Sequence, residues 1–344
     1  MSAALAVIAP GLGATIQDLG RTGYQAIGVP EGGALDPVTL RLANWLAGNE
    51  GGEGALEMRF SGPSFEVRGG PVRLALAGDG AEIELLPPWE GRFPAWRSIT
   101  LEPGQSLRIA LRGGNPCYLA VAGGFDLPLS LGSLSTLLVG RFGGFEGRAL
   151  ARGDILPLRL AEPDGAGELA MRPPKLAAPE RIRVILGPQA DRLTEDAVGV
   201  FLSASFTVST RSDRMGLRLE GPRLAHSDGF DLISDGTAHG AIQVPGSGQP
   251  IVLLADRGTT GGYPKIAVVT SADLPAVGRL APGAALRFAA VTHAEAVAAL
   301  HAQDAMLASL KASITRYRDP AEALARALLE ENIISGVTDA AGPA

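Results

Sequence analysis

Four stretches of the chain set closely spaced glycines beside cations, acids and neutral hydrogen-bond donors. The first runs Gly13-Ala14-Thr15-Ile16-Gln17-Asp18-Leu19-Gly20-Arg21-Thr22-Gly23 and continues from Gly28 through Gly33 to Asp36. A second, from Thr210 to Gly216, carries Asp213 and Arg214. Gly240 to Gly246 encloses Gln243, and Asp256 to Lys265 reads Asp-Arg-Gly-Thr-Thr-Gly-Gly-Tyr-Pro-Lys, with Thr259, Thr260, Gly261, Gly262 and Tyr263 at its centre. Glycine lets backbone N–H groups approach a ligand closely, and successive N–H groups can cradle an anion. Arg21, Arg214 and Lys265 can neutralise a carboxylate or phosphate, arginine with a two-pronged fork. Asp18, Asp36 or Asp213 can orient those cations or move protons. Block by block, the same residues also suit glycine-rich hairpin turns carrying Asp–Arg pairs on the surface.

Familiar catalytic signatures do not occur. There is no GxxxxGK[ST] phosphate loop, no GxSxG elbow, no HExxH pair and no Cys/His metal spacing. His226 and His239 fall in a loop-rich region and His293 and His301 in an expected helix, so no metal site is expected. His226, Ser227 and Asp228 are adjacent, and adjacent side chains diverge too far for a relay. The single cysteine, Cys117, precedes the apolar run Tyr118–Val121 and reads as a packed thiol. One cysteine gives no internal disulfide framework, which fits a reducing, cytoplasmic setting.

The elements that must position these blocks are mostly strands. In 344 residues, 46% are hydrophobic and only 19% charged, enough for a sizeable core. Glycine (46) and proline (25) are scattered rather than periodic, which favours short strands joined by tight turns. Val72–Ala77, Leu107–Leu111, Tyr118–Ala122, Ile182–Leu186, Ile251–Ala255 and Ile266–Thr270 are short apolar runs between turn residues, so a mainly β fold is expected. Three helices stand out. Asp36-Pro37 caps one that Gly48 ends; Thr292 and Glu295 form a capping box ahead of a second, to about Lys311; Asp319-Pro320 opens a third, to about Glu331. Residues 335–344 read as a frayed tail.

Leu101-Glu-Pro-Gly104-Gln-Ser-Leu-Arg-Ile-Ala110 recurs as Leu280-Ala-Pro-Gly283-Ala-Ala-Leu-Arg-Phe-Ala289. This internal repeat divides the chain into related β units at 1–160 and 180–292, a linker at 161–179, and C-terminal helices and tail at 293–344. A net charge of −6 argues against a nucleic-acid partner. Residues 1–10 lack the charged start and apolar stretch of a signal peptide, and no apolar run is long enough for a membrane span.

Several of these motifs, in order, resemble the allophanate hydrolase subunit 2 family, which includes KipA, the C subunit of bacterial 5-oxoprolinase and part of the carboxyltransferase region of urea carboxylase. The marks are Gln17-Asp18-Leu19-Gly20-Arg21, the run ending at Asp36, Ala43-Asn44, Gly48-Asn49, Leu56-Glu57 and Leu131-Gly132-Ser133 with Ser135-Thr136. Ser212–Gly216, Ile242–Gly246 and Thr259–Ala267 complete them. The chain departs from the pattern at Gly32, Leu134, His239 and Gly258.

The resemblance implies two cyclophilin-like β-barrel units with a few helices. It implies a role as the C subunit of an ATP-dependent 5-oxoprolinase complex, inactive alone. Its partners would be a B subunit like KipI or allophanate hydrolase subunit 1, and a LamB/YcsF-like A subunit. ATP would be consumed, with its site on this chain or a partner. On that reading Asp18, Arg21, Asp213, Arg214 and Lys265 are the catalytic candidates. Gln17, Asp36, Gln243, Thr259, Thr260, Gly261, Gly262 and Tyr263 would bind a small amide. One alternative is a carboxyltransferase subunit that carboxylates urea or another amide. Biotin would then ride on another protein, because Lys175, Lys265 and Lys311 follow Pro, Pro and Leu rather than Met. The other is a KipA-like regulator that binds a kinase inhibitor.

Overall fold

The computed structural model describes residues 3–160, 165, 167–176 and 178–318. Two bodies of β-structure divide the chain, the first taking its last strand, Thr315–Arg316, from beyond the second. The first is built from two sheets. One has the strand order Ile155–Pro157, Ala4–Ala9, Ser64–Arg68, Ser106–Leu111, Ala81–Leu85, Arg92–Pro94. The other runs Thr15–Gln17, Ala55–Met58, Cys117–Val121, Val72–Ala77, Arg97–Leu101, Leu169–Ala170, Thr315–Arg316. Arg92–Pro94 and Arg97–Leu101 lie on different sheets with only Ala95 and Trp96 between them, so the chain turns a corner there. Alternate residues such as Phe65, Val67, Leu74, Leu76, Leu107 and Leu119 point between the sheets and form one apolar core.

The second body is a single eight-stranded sheet: Ala285–Leu286, Phe206–Val208, Gly216–Glu220, Ile251–Leu253, Ala241–Gln243, Lys265–Val269, Ile182–Leu186, Phe288–Ala290. Only Arg287 separates its first edge strand from its last, so the sheet curls until its edges meet, a nearly closed barrel. Phe201, Phe206 and Phe288 cluster inside, the closest pair stacked with centroids 4.6 Å apart. The mainly β, two-barrel architecture implied by the resemblance is the one observed.

The repeated Leu-x-Pro-Gly segment makes the same turn in both bodies. Gly104 has φ +89° and its N–H donates to Val67 O at 2.8 Å; Gly283 has φ +87° and donates to Val208 O at 2.8 Å. Only glycine adopts that conformation freely.

Helix α1 (Pro37–Ala47) starts where expected, with Asp36 Oδ1 accepting from Val38 N at 3.1 Å, and ends on Gly48 in the left-handed region. It packs on strands Cys117–Val121 and Val72–Ala77. Helices α2 (Glu195–Ser203) and α3 (Leu274–Arg279), not expected from the sequence, support the second body. Helix α4 (His293–Ala312) carries the Thr292–Glu295 capping box. The helix expected from Asp319 and the tail fall outside the described residues. Cys117 is buried in its strand, and burial first, then Asp79 and Asp36, pushes its thiol up to about 12, an unreactive position. Among the described residues no helix is long and apolar enough to cross a membrane.

Candidate functional site

The conspicuous opening lies on the second barrel. It is a cleft of about 650 Å³, lined among others by Gln243, Thr260, Gly261, Gly262, Tyr263 and Asp213. Five of the residues expected to bind substrate, and one expected to be catalytic, therefore share one wall system. Strand pairing explains why. Thr260–Gly261 forms a two-stranded ribbon with Asp235–Gly236, and Ala241–Gln243 pairs with Lys265–Val269, so the third and fourth glycine-rich blocks meet edge to edge. Lys265 is the cross-strand partner of Gln243, so both side chains leave the same face of the sheet. Thr259 stands just outside the cleft, where its carbonyl accepts from Thr237 N at 3.0 Å.

Asp213 has a local task as well: its Oδ1 accepts from Met215 N at 2.8 Å and Gly216 N at 3.0 Å, folding the Ser212–Gly216 turn. That turn separates the first cleft from a second, of about 360 Å³, which runs between the two barrels. Leu12, Phe60, Val139 and Met215 form apolar walls there, and Glu57, Arg214 and Asp256 lie in its floor.

Arg214 is not an open clamp. Its Nε and Nη2 grip Asp256 at 2.8 and 3.0 Å, Nη2 also donates to Gly33 O at 2.6 Å, and Nη1 donates to Glu57. Burial alone would lower its pKa, but Glu57 and Asp256 more than offset that and raise it. The network continues into the first barrel. Glu57 Oε2 accepts from Tyr118 Oη at 2.7 Å and Leu35 N at 2.8 Å, and Tyr118 Oη accepts from Asp36 N at 2.8 Å. Asp36 then receives Arg279 Nη1 from α3 at 2.9 Å. Asp36 is thus spent on capping α1 and on this crossing, with no side facing the first cleft.

Gln17, Asp18 and Arg21 gather around another structure, the Ser130–Thr136 loop. The Asp18 carboxylate accepts from Gly20 N at 2.8 Å, Ser133 Oγ at 2.7 Å, Leu134 N at 2.6 Å and Ser135 Oγ. Three of these donors converge on Oδ1 and one on Oδ2, so the carboxylate anchors the loop. Gln17 donates to Thr136 O at 3.2 Å. Arg21 donates to Ser130 O and Ser135 O, with its guanidinium 4.9 Å from the Phe142 ring centre. Burial lowers the pKa of Arg21, partly countered by Asp18 and Asp256.

The departures from the family pattern also find places. Leu134 joins the first core, and an added Cβ at Gly32 would stand 3.2 Å from Arg21 Nη1. His239 lies beside Arg257 and Arg214; burial and then these cations hold its imidazole down at about 4. Glu57, Tyr118, Asp256 and Arg279 are polar residues of these networks to which residue type and spacing assign no role, although Glu57 and Asp256 lie within the quoted motifs. The legible signal was a lone acid inside an apolar run, as in Ala55-Leu56-Glu57-Met58.

Known proteins share this arrangement of barrels and blocks. Residues 27–290 match the family described as "Carboxyltransferase domain, subdomain A and B". The C subunit of 5-oxoprolinase from Escherichia coli (strain K12) is 37% identical over 86% of this chain and 94% of its own length. A solved structure of TTHA0988 aligns at 37% identity and a TM-score of 0.72 over 84% of this chain, which spans 56% of that longer chain. The K. lactis urea amidolyase structure aligns at 28% identity and a TM-score of 0.80 over 92% of this chain, which spans only 21% of it. Fold, motif order and near end-to-end identity agree: the chain belongs to the carboxyltransferase-domain family, of which it carries subdomains A and B.

Proposed function

We propose that this chain is the C subunit of an ATP-dependent 5-oxoprolinase complex, in which it helps to hold and activate 5-oxoproline for opening to glutamate. The observation that carries this reading is the match to 94% of the C subunit of E. coli 5-oxoprolinase, against a fifth of the K. lactis urea amidolyase. Chemistry sets the requirement. A lactam resists water because its nitrogen lone pair is shared with the carbonyl. Transfer of the γ-phosphoryl group to the lactam oxygen makes the ring carbon electrophilic. Water then adds there and the C–N bond breaks, the ring nitrogen taking a proton, to leave a γ-glutamyl phosphate; a second water releases phosphate from it, so glutamate, ADP and phosphate result. Such a sequence needs positioned donors on the developing charge.

The Gln243 cleft supports a substrate-holding role for this chain. Its four charged lining residues, Arg211, Asp213, Arg218 and Glu220, balance two against two, which suits a small ligand better than a triphosphate. We therefore place ATP on a partner, a B subunit like KipI or allophanate hydrolase subunit 1. A LamB/YcsF-like A subunit completes the hydrolysis in the cytoplasm. Lys265 keeps its expected role as a clamp. Arg21, Arg214, Asp18 and Asp36 act instead by holding loops and barrels in place.

Co-expression with the B-type and LamB-like partners, followed by ATP hydrolysis measured with and without 5-oxoproline, tests the reading. ATP turnover dependent on 5-oxoproline and yielding glutamate is expected; its absence in the complete complex would overturn it. The likeness to urea amidolyase favours one second reading, transfer of a carboxyl group from a biotin carried elsewhere to urea or a related amide. That activity would require an added biotin carrier and no 5-oxoproline.

A further inference from the structure

Gln243, in the wall of the cleft, and its cross-strand partner Lys265 each carry a buried nitrogen donor without an acceptor. Gln243 and Lys265 are 7% and 3% exposed, and neither Gln243 Nε2 nor Lys265 Nζ has a hydrogen-bond partner. Buried donors are almost always paired, and leaving two on paired residues unsatisfied costs stability at both. Such a cost is retained where a ligand supplies the acceptors.

The surroundings indicate the ligand's charge. Lys265 Nζ lies 4.0 Å from Asp235 Oδ2, and the Asp235 side chain is two-thirds exposed. Asp235 sits on the ribbon with Thr260–Gly261, so the chain itself hangs a carboxylate at the mouth of the donor pair. Gly261 is what lets the ribbon pass there: a Cβ on it would fall 2.2 Å from Gln243 Nε2. A Cβ on Gly262 would likewise stand 3.0 Å from Leu232 O. With the lining charges balanced, the donor pair offers one positive charge and one neutral amide. Both prongs suit the two oxygens of a carboxylate. A phosphate dianion would leave charge unmatched in a buried place.

We propose that Gln243 Nε2 and Lys265 Nζ form a subsite for the carboxylate of a small monocarboxylic ligand, with Asp235 as the resident counter-ion that the incoming carboxylate displaces. The site itself follows from the donor pair; naming 5-oxoproline as its ligand rests on the function proposed above.

Calorimetric titration of the full chain with 5-oxoproline, 2-pyrrolidinone (the same ring without the carboxylate) and inorganic phosphate tests it. 5-Oxoproline is expected to bind about tenfold or more tightly than 2-pyrrolidinone, as a lost charge-assisted bond predicts. Lys265→Met should erase that preference. Asp235→Asn, at an exposed position that folding tolerates, should tighten 5-oxoproline by removing its competitor. Equal affinity for the two rings, tighter binding of phosphate, weaker binding by Asp235→Asn, or no binding of 5-oxoproline or any other cyclic monocarboxylate would each overturn the subsite. Failure here beside 5-oxoproline-dependent ATP turnover in the complex would leave the oxoprolinase reading standing. Preference for other monocarboxylates through Lys265, with a complex inert toward 5-oxoproline, would uphold the subsite and remove that reading.

Discussion

Asp18→Ala takes away one acceptor that four donors share, and three of those donors belong to the Ser133–Ser135 segment. Each donor left buried without a partner costs about 1–3 kcal/mol, so a loss of about 2–4 kcal/mol is expected after local relaxation. Urea unfolding measures it, and a change below about 1 kcal/mol would contradict the anchoring role. His239 makes a pH prediction. The folded protein keeps its imidazole neutral down to about 4, whereas an unfolded chain titrates near 6.5. Between those values the unfolded state binds more protons, so the contribution is complete above about 6.5 and is lost as pH falls toward 4. His239→Gln should flatten that slope by at most about 3 kcal/mol, read from urea midpoints at several pH values. Neither role was legible beforehand. Asp18 has the residue type of a proton carrier, and only the distant serines bound to its carboxylate show it as a loop anchor.

At the scale of elements, helix α3 reaches the first barrel through a missing side chain. A Cβ on Gly278 would lie 1.9 Å from Leu35 O, so the helix backbone touches the other body's chain directly. Gly278→Ala should cost about 1–3 kcal/mol by overpacking, despite alanine's better helix propensity. A thermal melt checks the sign, and stabilisation would contradict the close approach. Helix α1 was readable because its determinants are local: Asp36, Pro37 and Gly48 act within a turn of themselves. Helices α2 and α3 were not. Nine and six residues are too short for a clear apolar stripe, and Gly199 and Gly278 weaken the helical pattern. Short apolar runs gave the strands away, but the meeting of Gln243 with Lys265 depends on pairing that no spacing reveals.

Across the whole molecule, the Asp256–Arg214–Glu57 bridge ties one barrel to the other. Arg214→Met would leave two buried carboxylates facing each other without their cation, at a cost of about 3–5 kcal/mol. Arg214→Lys should recover part of it, since a point charge cannot reproduce four directed hydrogen bonds. Chemical unfolding of both variants decides; a neutral Arg214→Met would refute the bridge as a fastener. Two barrels were legible from the repeated Pro-Gly segment, which each body uses for the same turn. Their union was not, because Glu57 and Arg214 lie 157 residues apart and nothing local couples them.

Leu35, from the first barrel's stretch of chain, is packed in the apolar core of the second. A ribosome releases the N-terminal barrel first. Until the residues around 214, 256 and 278 have been synthesised, that barrel carries a bare leucine and an acid with no cation. The later half therefore finishes the earlier one, and a gene cut between the two repeats would yield a pair of fragments that must find each other before either is whole.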